Sequence, residues 1–345
     1  MTTVPTSAAR RRVLAAGSLL LTGSLFGAGP ASAADNVIMR INFTPWGMHA
    51  QYFGGKAQGI YAKEGIELEI RPPSGGQQNE VFIASGREHF GVANIDSFVK
   101  AKASGVPIVA IMIDQPDTPV AVITLKKSGI AEPKQLKGKK LSWFQANVRA
   151  QLDPLLKSGG LTRKDIEYVN VARGSEVQML AAGQIDAIYG FSYGQALTLE
   201  DKGFPVNVMP LKNFGLNNYG TVIYTSEQLL KSNPDLVKRF LRATLKSLIW
   251  TKDHMQEAVA EVIKVSPDRD LKLETRKLGI IYDIYRSPEY GERFGWMTDA
   301  RWKDTIEVFS EEIPKKPAPQ EMYTNKILES LDEAKQLARI LQQGR

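Results

Sequence analysis

Four ring-bearing side chains lie close together near residue 50, and their spacing could build a wall for a flat molecule. They are Trp46, His49, Tyr52 and Phe53. If a helix begins near Met48, the last three share one face, because they are three and four residues apart. Each ring that stacked on a planar heterocycle would add about 0.5–1.5 kcal/mol beyond the buried area. Tyr52 and Phe53 could instead pack in the core, whereas Trp46 follows Pro45 in a polar loop, and we expect it to line a cleft.

Polar segments follow two of the predicted strands and supply further candidate ligand contacts. These candidates are Ser74, Gly75, Gln77, Asn94, Asp96 and Ser97. Segment 74–77 leads into a predicted helix, where glycines and the helix N-terminus favour an anion or another acceptor. Asp96 could accept a hydrogen bond from an exocyclic amine, or only cap its helix. A plain capped turn is the alternative for segment 74–77.

The remaining candidates come later in the chain, at other predicted strand ends and helix starts. They are Asp114, Trp143, Phe144, Glu176, Tyr189, Tyr193, Asn218 and Tyr219. Asp114 suits an amino-bearing or cationic ligand and disfavours a sulfonate, because two buried anions repel each other. Tyr189 and Tyr193 lie on one side if their strand continues, and we expect one or two rings of this group to face a cleft. Glu176 could bond a ligand or complement a helix dipole.

Two arginines separate the ligand classes that remain open. Arg149 and Arg173 are the arginines near predicted strand ends in the second half of the predicted fold. A sulfonate or carboxylate ligand would be held in a bidentate clamp by one of them. With a neutral or amino-bearing ring as ligand, both would be surface groups.

Composition excludes several classes of chemistry. The chain has 345 residues, no cysteine and three histidines, so cysteine nucleophiles, disulfides and zinc–cysteine sites are excluded. No G-x-S-x-G elbow, phosphate loop or dinucleotide glycine motif occurs. We therefore predict no catalytic residue, no metal and no cofactor.

The first 33 residues have the pattern of an export signal. Arg10, Arg11 and Arg12 precede an apolar run from Val13 to Phe26, and small residues then suggest cleavage before position 34. The segment fits both an ordinary secretory signal and a twin-arginine signal. Without its three arginines the chain has 41 basic and 37 acidic residues, a net charge of +4. That mild charge makes nucleic acid a poor partner, and we predict an exported, periplasmic monomer.

Strand and helix signals alternate along the rest of the chain. The first set runs from a strand at 37–43 to a buried strand at 108–113, and 120–125 is predicted as a strand that leaves this unit. The alternation restarts at 140–189, a strand at 221–225 follows, and the last hundred residues are helical. Such alternation is typical of βαβ units with largely parallel sheets. The second unit is either inserted into the first or simply follows it.

Several short segments resemble one family of exported proteins. Among these segments are Asn42–His49, Gly59–Tyr61, Gly105–Pro107, Leu136–Lys140 and Ala182–Ala187. In order and spacing they resemble periplasmic solute-binding proteins of ABC importers, in the branch that binds sulfonates and thiamine pyrimidine precursors. Segments 114–118 and 323–325 are closer to the pyrimidine-precursor group. The resemblance covers 37–325.

The resemblance implies a two-lobed α/β fold with ligand held in the cleft. Lobe 1 would comprise 36–125 plus 222–345, and lobe 2 would comprise 126–221. The ligand would be a small planar heteroaromatic solute such as a thiamine pyrimidine precursor, and the partner would be an ABC permease in the inner membrane. A sulfonate or aromatic carboxylate is the alternative ligand, and a sensory role is a further possibility. The group also contains pyrimidine-synthesising enzymes with a cysteine-rich iron motif, and 217–220 has no cysteine here. We therefore predict that the chain is not an enzyme.

Overall fold

The computed structural model describes residues 34–74, 78–143, 149–172 and 174–343, with only the backbone for Trp143 and Arg149. The predicted signal segment, 1–33, lies outside these ranges. From Ala34 onward the chain forms one compact unit. In the described part, no helix has the length and apolar character needed to cross a membrane.

The described residues form ten strands and fourteen α-helices. The strands are β1 (Asp35–Arg40), β2 (Ile66–Arg71), β3 (Phe90–Asn94), β4 (Ile108–Gln115), β5 (Val120–Leu125), β6 (Lys140–Trp143), β7 (Glu167–Asn170), β8 (Ala187–Phe191), β9 (Val206–Pro210) and β10 (Thr221–Ser226). The helices are α1 (Ala50–Ala57), α2 (Gln78–Ala84), α3 (Ile95–Ala103), α4 (Arg149–Ser158), α5 (Glu176–Ala181), α6 (Gln195–Asp201), α7 (Glu227–Ser232), α8 (Pro234–Asp253), α9 (Met255–Ile263), α10 (Leu271–Ile284), α11 (Asp299–Val308), α12 (Pro319–Met322), α13 (Lys326–Glu329) and α14 (Asp332–Gln343).

The first sheet has the strand order β2-β1-β3-β10-β4. Strand β1 pairs in parallel with β2 and β3, while β10 runs antiparallel between β3 and β4. A single large core lies against this sheet and joins N-terminal residues such as Met39 to residues of the C-terminal helices such as Trp302. The N-terminal and C-terminal parts of the chain therefore share one core.

The second sheet has the order β7-β6-β8-β5-β9. Strand β6 pairs in parallel with β7 and β8, and β5 lies antiparallel between β8 and β9. We predicted that Val120–Leu125 belongs with the first unit. That prediction is wrong, because this strand pairs with β8 and β9 of the second sheet. Every residue of β5 is buried, and its apolar side chains pack in the two cores on either side of the second sheet.

The fold class is confirmed: two mixed, mostly parallel sheets are flanked by helices. The second unit is inserted into the first, because β10 returns to the middle of the first sheet. The sequence did not predict α6 or β9. It also ended the buried strand β4 too early, since that strand continues to Gln115 and includes Asp114.

Candidate functional site

A pair of stacked rings joins the loop after β1 to the segment after β8. The ring of Trp46 lies 5.7 Å from that of Tyr193, centroid to centroid, at an interplanar angle of 25°. Both residues are buried, with Trp46 7% exposed and Tyr193 fully enclosed. The ring centre of Phe43 lies 6.3 Å from that of Trp46, and the ring centre of Phe191 lies 5.7 Å from that of Tyr193. We call Trp46 and Tyr193 the ring platform.

Helix α10 holds the loop that carries Trp46. The backbone N–H of Gly47 donates to Glu274 Oε2 at 2.8 Å. A Cβ atom at position 47 would lie 2.5 Å from the backbone carbonyl oxygen of Glu274, so only glycine allows this close approach. The ammonium of Lys277 lies 5.6 Å from the centre of the Trp46 ring. The orientation of Trp46 is therefore set by a helix more than 220 residues away in the chain.

His49 belongs to a chain of polar side chains beside the platform. Asn42 donates from Nδ2 to Asn94 Oδ1 at 2.7 Å, and its own Oδ1 lies 2.9 Å from His49 Nε2. That arrangement assigns the proton of the neutral imidazole to Nε2, which leaves Nδ1 as an acceptor. Nδ1 is buried and has no hydrogen-bond partner among the described residues. Burial, and secondarily the charge of Arg269, lowers the pKa of His49 to about 3.

Strand β4 contributes a buried amide and a buried carboxyl group. Gln115 donates from Nε2 to the hydroxyl of Tyr193 at 2.9 Å, while its Oε1 is buried without a partner. Asp114 accepts from the hydroxyls of Tyr285 and Thr221 at 3.0 and 3.1 Å. Burial raises the pKa of Asp114 to about 6, although both hydrogen bonds act in the opposite direction. Each oxygen of Asp114 thus has a protein partner.

Tyr52 and Phe53 were predicted to extend the aromatic wall on the helix after Trp46. The helix begins as a short 3-10 turn at Gly47–His49 and continues as α1. Tyr52 is fully buried, and burial raises its pKa well above the ordinary value. Phe53 is half-buried against the core of the first sheet. Both residues are part of that core, which is the alternative that their spacing left open.

Three predicted contacts have protein partners of their own. Ser74 is exposed, and its N–H and hydroxyl both donate to Asn79 Oδ1. Glu176 is buried and accepts from Gly174 N at 2.7 Å and from Gln195 Nε2 at 3.0 Å. Tyr189 packs in the core of the second sheet and donates to Gln151 at 2.8 Å. Ser74 is thus bonded to the first turn of α2, and the polar atoms of the other two residues have partners within the second half of the fold.

The predicted contacts near α3 are placed around the start of that helix. Asn94 is its N-terminal flanking residue, and its side-chain oxygen is engaged by Asn42. Asp96 lies in the first turn and is half-buried, so it does not occupy the capping position itself. The hydroxyl of Ser97 donates to the carbonyl of Asn94 at 3.0 Å.

Asn218 and Tyr219 lie just before β10, in the core of the first sheet. Asn218 is fully buried and donates to the carbonyl of Tyr219, while its Oδ1 has no partner in the part of the chain that the structure describes. The hydroxyl of Tyr219 accepts from the N–H of Thr298, and its ring packs edge-on against Trp302 at 5.2 Å. Asn218 therefore retains an unused acceptor, whereas the hydroxyl and ring of Tyr219 have internal partners.

Some predicted residues lie outside the described part. These are Gly75, Gln77, Phe144 and Arg173, together with the side chains of Trp143 and Arg149. Among the described residues, no group of three or more histidine, aspartate or glutamate side chains is placed to hold a metal ion.

Comparison with known families decides the family of the chain. The sequence model described as "NMT1/THI5 like" matches residues 46–258, which is more than half of the sequence and includes the ring platform. The chain belongs to the NMT1/THI5 like family.

Similar proteins carry two kinds of name. The Saccharomyces cerevisiae protein named 4-amino-5-hydroxymethyl-2-methylpyrimidine phosphate synthase THI5 is 28% identical over 279 residues, which are 76% of this chain and 81% of that protein. A periplasmic sulfonate-binding protein, SsuA, from Methylobacillus flagellatus superposes with a TM-score of 0.69 at 18% identity, covering 88% of this chain and 96% of that one. Escherichia coli SsuA gives a TM-score of 0.66 at 13% identity and covers 84% and 92%. These structures show that the NMT1/THI5 like chain has the periplasmic binding protein fold.

One prediction is contradicted by these names. We predicted that the chain is not an enzyme, because its cysteines are missing and its N-terminus resembles an export signal. The related THI5 proteins of Saccharomyces cerevisiae and the related Candida albicans protein are all named as a synthase. The missing cysteines and the signal pattern were too weak a basis for excluding an enzyme.

Sequence reasoning missed several residues of the site. These are Asn42, Arg269, Glu274 and Lys277. Asn42 belongs to a segment that carries the resemblance, and no pattern marked it as a partner of His49. The other three come from α10 and the turn before it, and no sequence signal connects that helix to position 46.

Proposed function

We propose that this NMT1/THI5 like protein is an extracytoplasmic solute-binding protein of an ABC importer. It binds a small planar heteroaromatic solute, a thiamine pyrimidine precursor or a similar ring, between its two sheets. The names of relatives and structural neighbours support this proposal, since one group acts in pyrimidine chemistry and the other binds solutes. Export through the predicted signal segment and delivery to a permease of the inner membrane are parts of the same proposal.

The observation that carries the proposal is the ring platform with its unused polar atoms. Trp46 and Tyr193 come from segments that follow strands of different sheets, so a bound ring would contact both halves of the molecule. Near the platform, His49 Nδ1 and Gln115 Oε1 are buried acceptors and Trp46 Nε1 is a buried donor, none of which has a hydrogen-bond partner among the described residues. Buried polar groups are normally hydrogen-bonded, and a heterocycle with ring nitrogens and an amino group would supply the missing partners.

The proposed mechanism is closure of two lobes on the solute. Ligand contacts from both lobes favour the closed state, because a ligand shifts an equilibrium only by binding one state more tightly than the other. We place the first crossing between the lobes at 116–119, since β5 pairs in the second sheet. The second crossing is 211–220, before β10 returns to the first sheet.

The alternative ligand within the binding class is a sulfonate or an aromatic carboxylate. The names of the SsuA neighbours favour it. The hydroxyl groups of Thr221 and Tyr285 donate to the two oxygens of Asp114. Repulsion between Asp114 and an anionic ligand is therefore a weaker objection to this alternative. A panel of pyrimidines, sulfonates and aromatic acids in thermal-shift measurements distinguishes these ligand classes.

A second candidate function is the synthase activity for which the curated relatives are named. The observation that favours it is 28% identity over 76% of this chain. Formation of 4-amino-5-hydroxymethyl-2-methylpyrimidine phosphate by purified residues 34–345 in a cell extract, measured by mass spectrometry, would support it. Extract without the protein is the control.

Replacement of Trp46 tests the binding function directly. Wild-type protein should melt at a higher temperature when 4-amino-5-hydroxymethyl-2-methylpyrimidine or its phosphate is added. The variant Trp46→Ala should lose this shift. As a matched control, Trp302→Ala removes a fully buried core tryptophan and should cost about 3–5 kcal/mol of stability while keeping the shift. Retention of the full shift in Trp46→Ala would make Trp46 a core residue only.

A further inference from the structure

Three charged side chains, two of them buried and one partly exposed, form a cluster on the α10 side of the ring platform. Lys277 Nζ lies 2.8 Å from Glu274 Oε1, and Arg269 Nη1 lies 3.6 Å from the same oxygen. The side chains of Lys277 and Glu274 are 6% and 2% exposed, and that of Arg269 is 20% exposed. The Lys277 ammonium is also 5.6 Å from the centre of the Trp46 ring. The cluster therefore adjoins the surface that we propose to contact the ligand.

The cluster has more positive than negative charge. Among the described residues, Glu274 is the carboxylate that pairs with Lys277 and with Arg269 at 4 Å or less. Its other oxygen accepts from the backbone of Gly47. Two cations thus share one carboxylate, and the second of them, Arg269, leaves a positive charge at the partly exposed edge of the cluster.

The cluster also has hydrogen-bond donors that nothing in the described protein accepts. Lys277 carries three N–H donors and uses one of them, toward Glu274. Arg269 donates from Nη2 to Thr44, while its Nε is buried and no described residue accepts from it. Trp46 Nε1 is likewise buried without an acceptor. Spare donors and surplus positive charge are the features that bind an oxyanion.

From these observations we propose that Arg269 and Lys277 form an anion subsite beside the ring platform. The ligand class is then a planar ring that carries an anionic substituent, such as a phosphate ester, sulfonate or carboxylate. Lys277 contacts the anion, and Glu274 orients Lys277 while it fixes the loop at Gly47. This inference rests on the proposed function, because the ring platform supplies the other half of the site.

The first measurement compares matched probes by calorimetry on purified residues 34–345. 4-Amino-5-hydroxymethyl-2-methylpyrimidine is compared with its phosphate, and benzyl alcohol is compared with benzenesulfonate and benzoate. Within whichever set binds, we expect an anionic probe to bind about tenfold more tightly, or better, than its neutral counterpart. The probe that binds most tightly identifies the anion. Equal affinities within every set would overturn the subsite and leave the ring site intact. No binding in any set would overturn the proposed function and the subsite together.

The second measurement assigns the effect to Lys277. The variant Lys277→Met should lose the preference for the anionic probe, and Lys277→Arg should recover it. The control is Lys272→Met, which removes an exposed lysine of the same helix and should leave the preference unchanged. A preserved preference in a folded Lys277→Met protein would make the Lys277–Glu274 pair purely structural. If that variant does not fold, wild-type titrations at 0.05 and 0.5 M salt decide, because a charge-based preference must shrink with ionic strength.

Discussion

The loops after β1 and β2 leave neighbouring parallel strands at the same edge of the first sheet. Their described residues nevertheless differ in burial and in hydrogen bonding. The β1 loop carries Trp46 and His49, which are buried and have ring or amide neighbours and unused polar atoms. After β2, Ser74 is exposed, and both its N–H and its hydroxyl are satisfied by Asn79. Position at a strand end is therefore not sufficient to bury a side chain or to leave its polar atoms unpaired.

The burial of Trp46 and His49 arises from what packs over the β1 loop. Helix α10 covers the β1 loop through Glu274, and Tyr193 covers it from the second sheet. These neighbours exclude water from Trp46 and His49, so polar atoms that they leave unpaired have a real cost. Water satisfies the exposed Ser74 at no such cost. Burial by distant segments of the chain distinguishes the proposed site from an ordinary turn.

The largest effect should come from adding one methyl group under the β1 loop. In Gly47→Ala the new Cβ would lie 2.5 Å from the Glu274 carbonyl, so the loop must move away from α10. We expect a loss of about 1–3 kcal/mol in the free energy of unfolding, together with loss of the ligand-induced melting shift. Chemical denaturation and thermal-shift measurements check both.

A glycine of α10 offers a matched control for that substitution. A Cβ atom on Gly279 would meet nothing within 4 Å, and its backbone is helical. Gly279→Ala should therefore stabilise the protein by up to about 1 kcal/mol and preserve binding. If Gly47→Ala kept full binding, α10 would not be what positions Trp46.

Acidification should have the next largest effect, through His49. Its folded pKa of about 3 lies below the ordinary value of 6.5, so the unfolded chain binds this proton more tightly. The free energy of unfolding should fall by roughly 2 kcal/mol between pH 7 and 5 on this account. Asp114 acts with the opposite sign, because its folded pKa of about 6 exceeds the ordinary 3.8. Over the same pH range it should raise the free energy of unfolding by roughly 1 kcal/mol.

Two variants separate these opposing contributions. In urea unfolding, the free energy of unfolding should fall less between pH 7 and 5 in His49→Gln than in wild type, and it should fall more in Asp114→Asn. Differences between variants remove the background from the other carboxylates. An identical acid loss in wild type and His49→Gln would mean that His49 does not remain neutral in the folded protein.

The smallest effect should come from the β2 loop. Ser74→Ala removes exposed hydrogen bonds, so we expect a change within about 0.5 kcal/mol in stability and no change in ligand affinity. Asn42→Ala is the comparison from the β1 side, where the side chain links His49 to Asn94, and it should weaken binding. A loss of affinity in Ser74→Ala would remove the contrast between the two loops.

Local sequence patterns predicted most of the strands and helices before β10 and the alternation behind the fold. The strict alternation of β2 and the helical segment of α2 were recovered because neighbouring residues determine them. The structure places Trp46 against Tyr193 of the other sheet, and its contact with a ligand stays a prediction. The internal partners of Tyr189 and Glu176 could not be predicted, because Gln151 and Gln195 reach them only after folding. The same reason hid Glu274 and Lys277.

The position of β10 has a consequence for the order in which the chain can fold. The first sheet needs β10 between β3 and β4, so it cannot be completed until residue 226 has been synthesised or exported. The second sheet uses β5 to β9, which are consecutive in the chain, and its pairings span much shorter loops. Because long loops slow the formation of contacts, the inserted half should acquire native structure first. The half that carries Trp46 would then be assembled around an already folded insert.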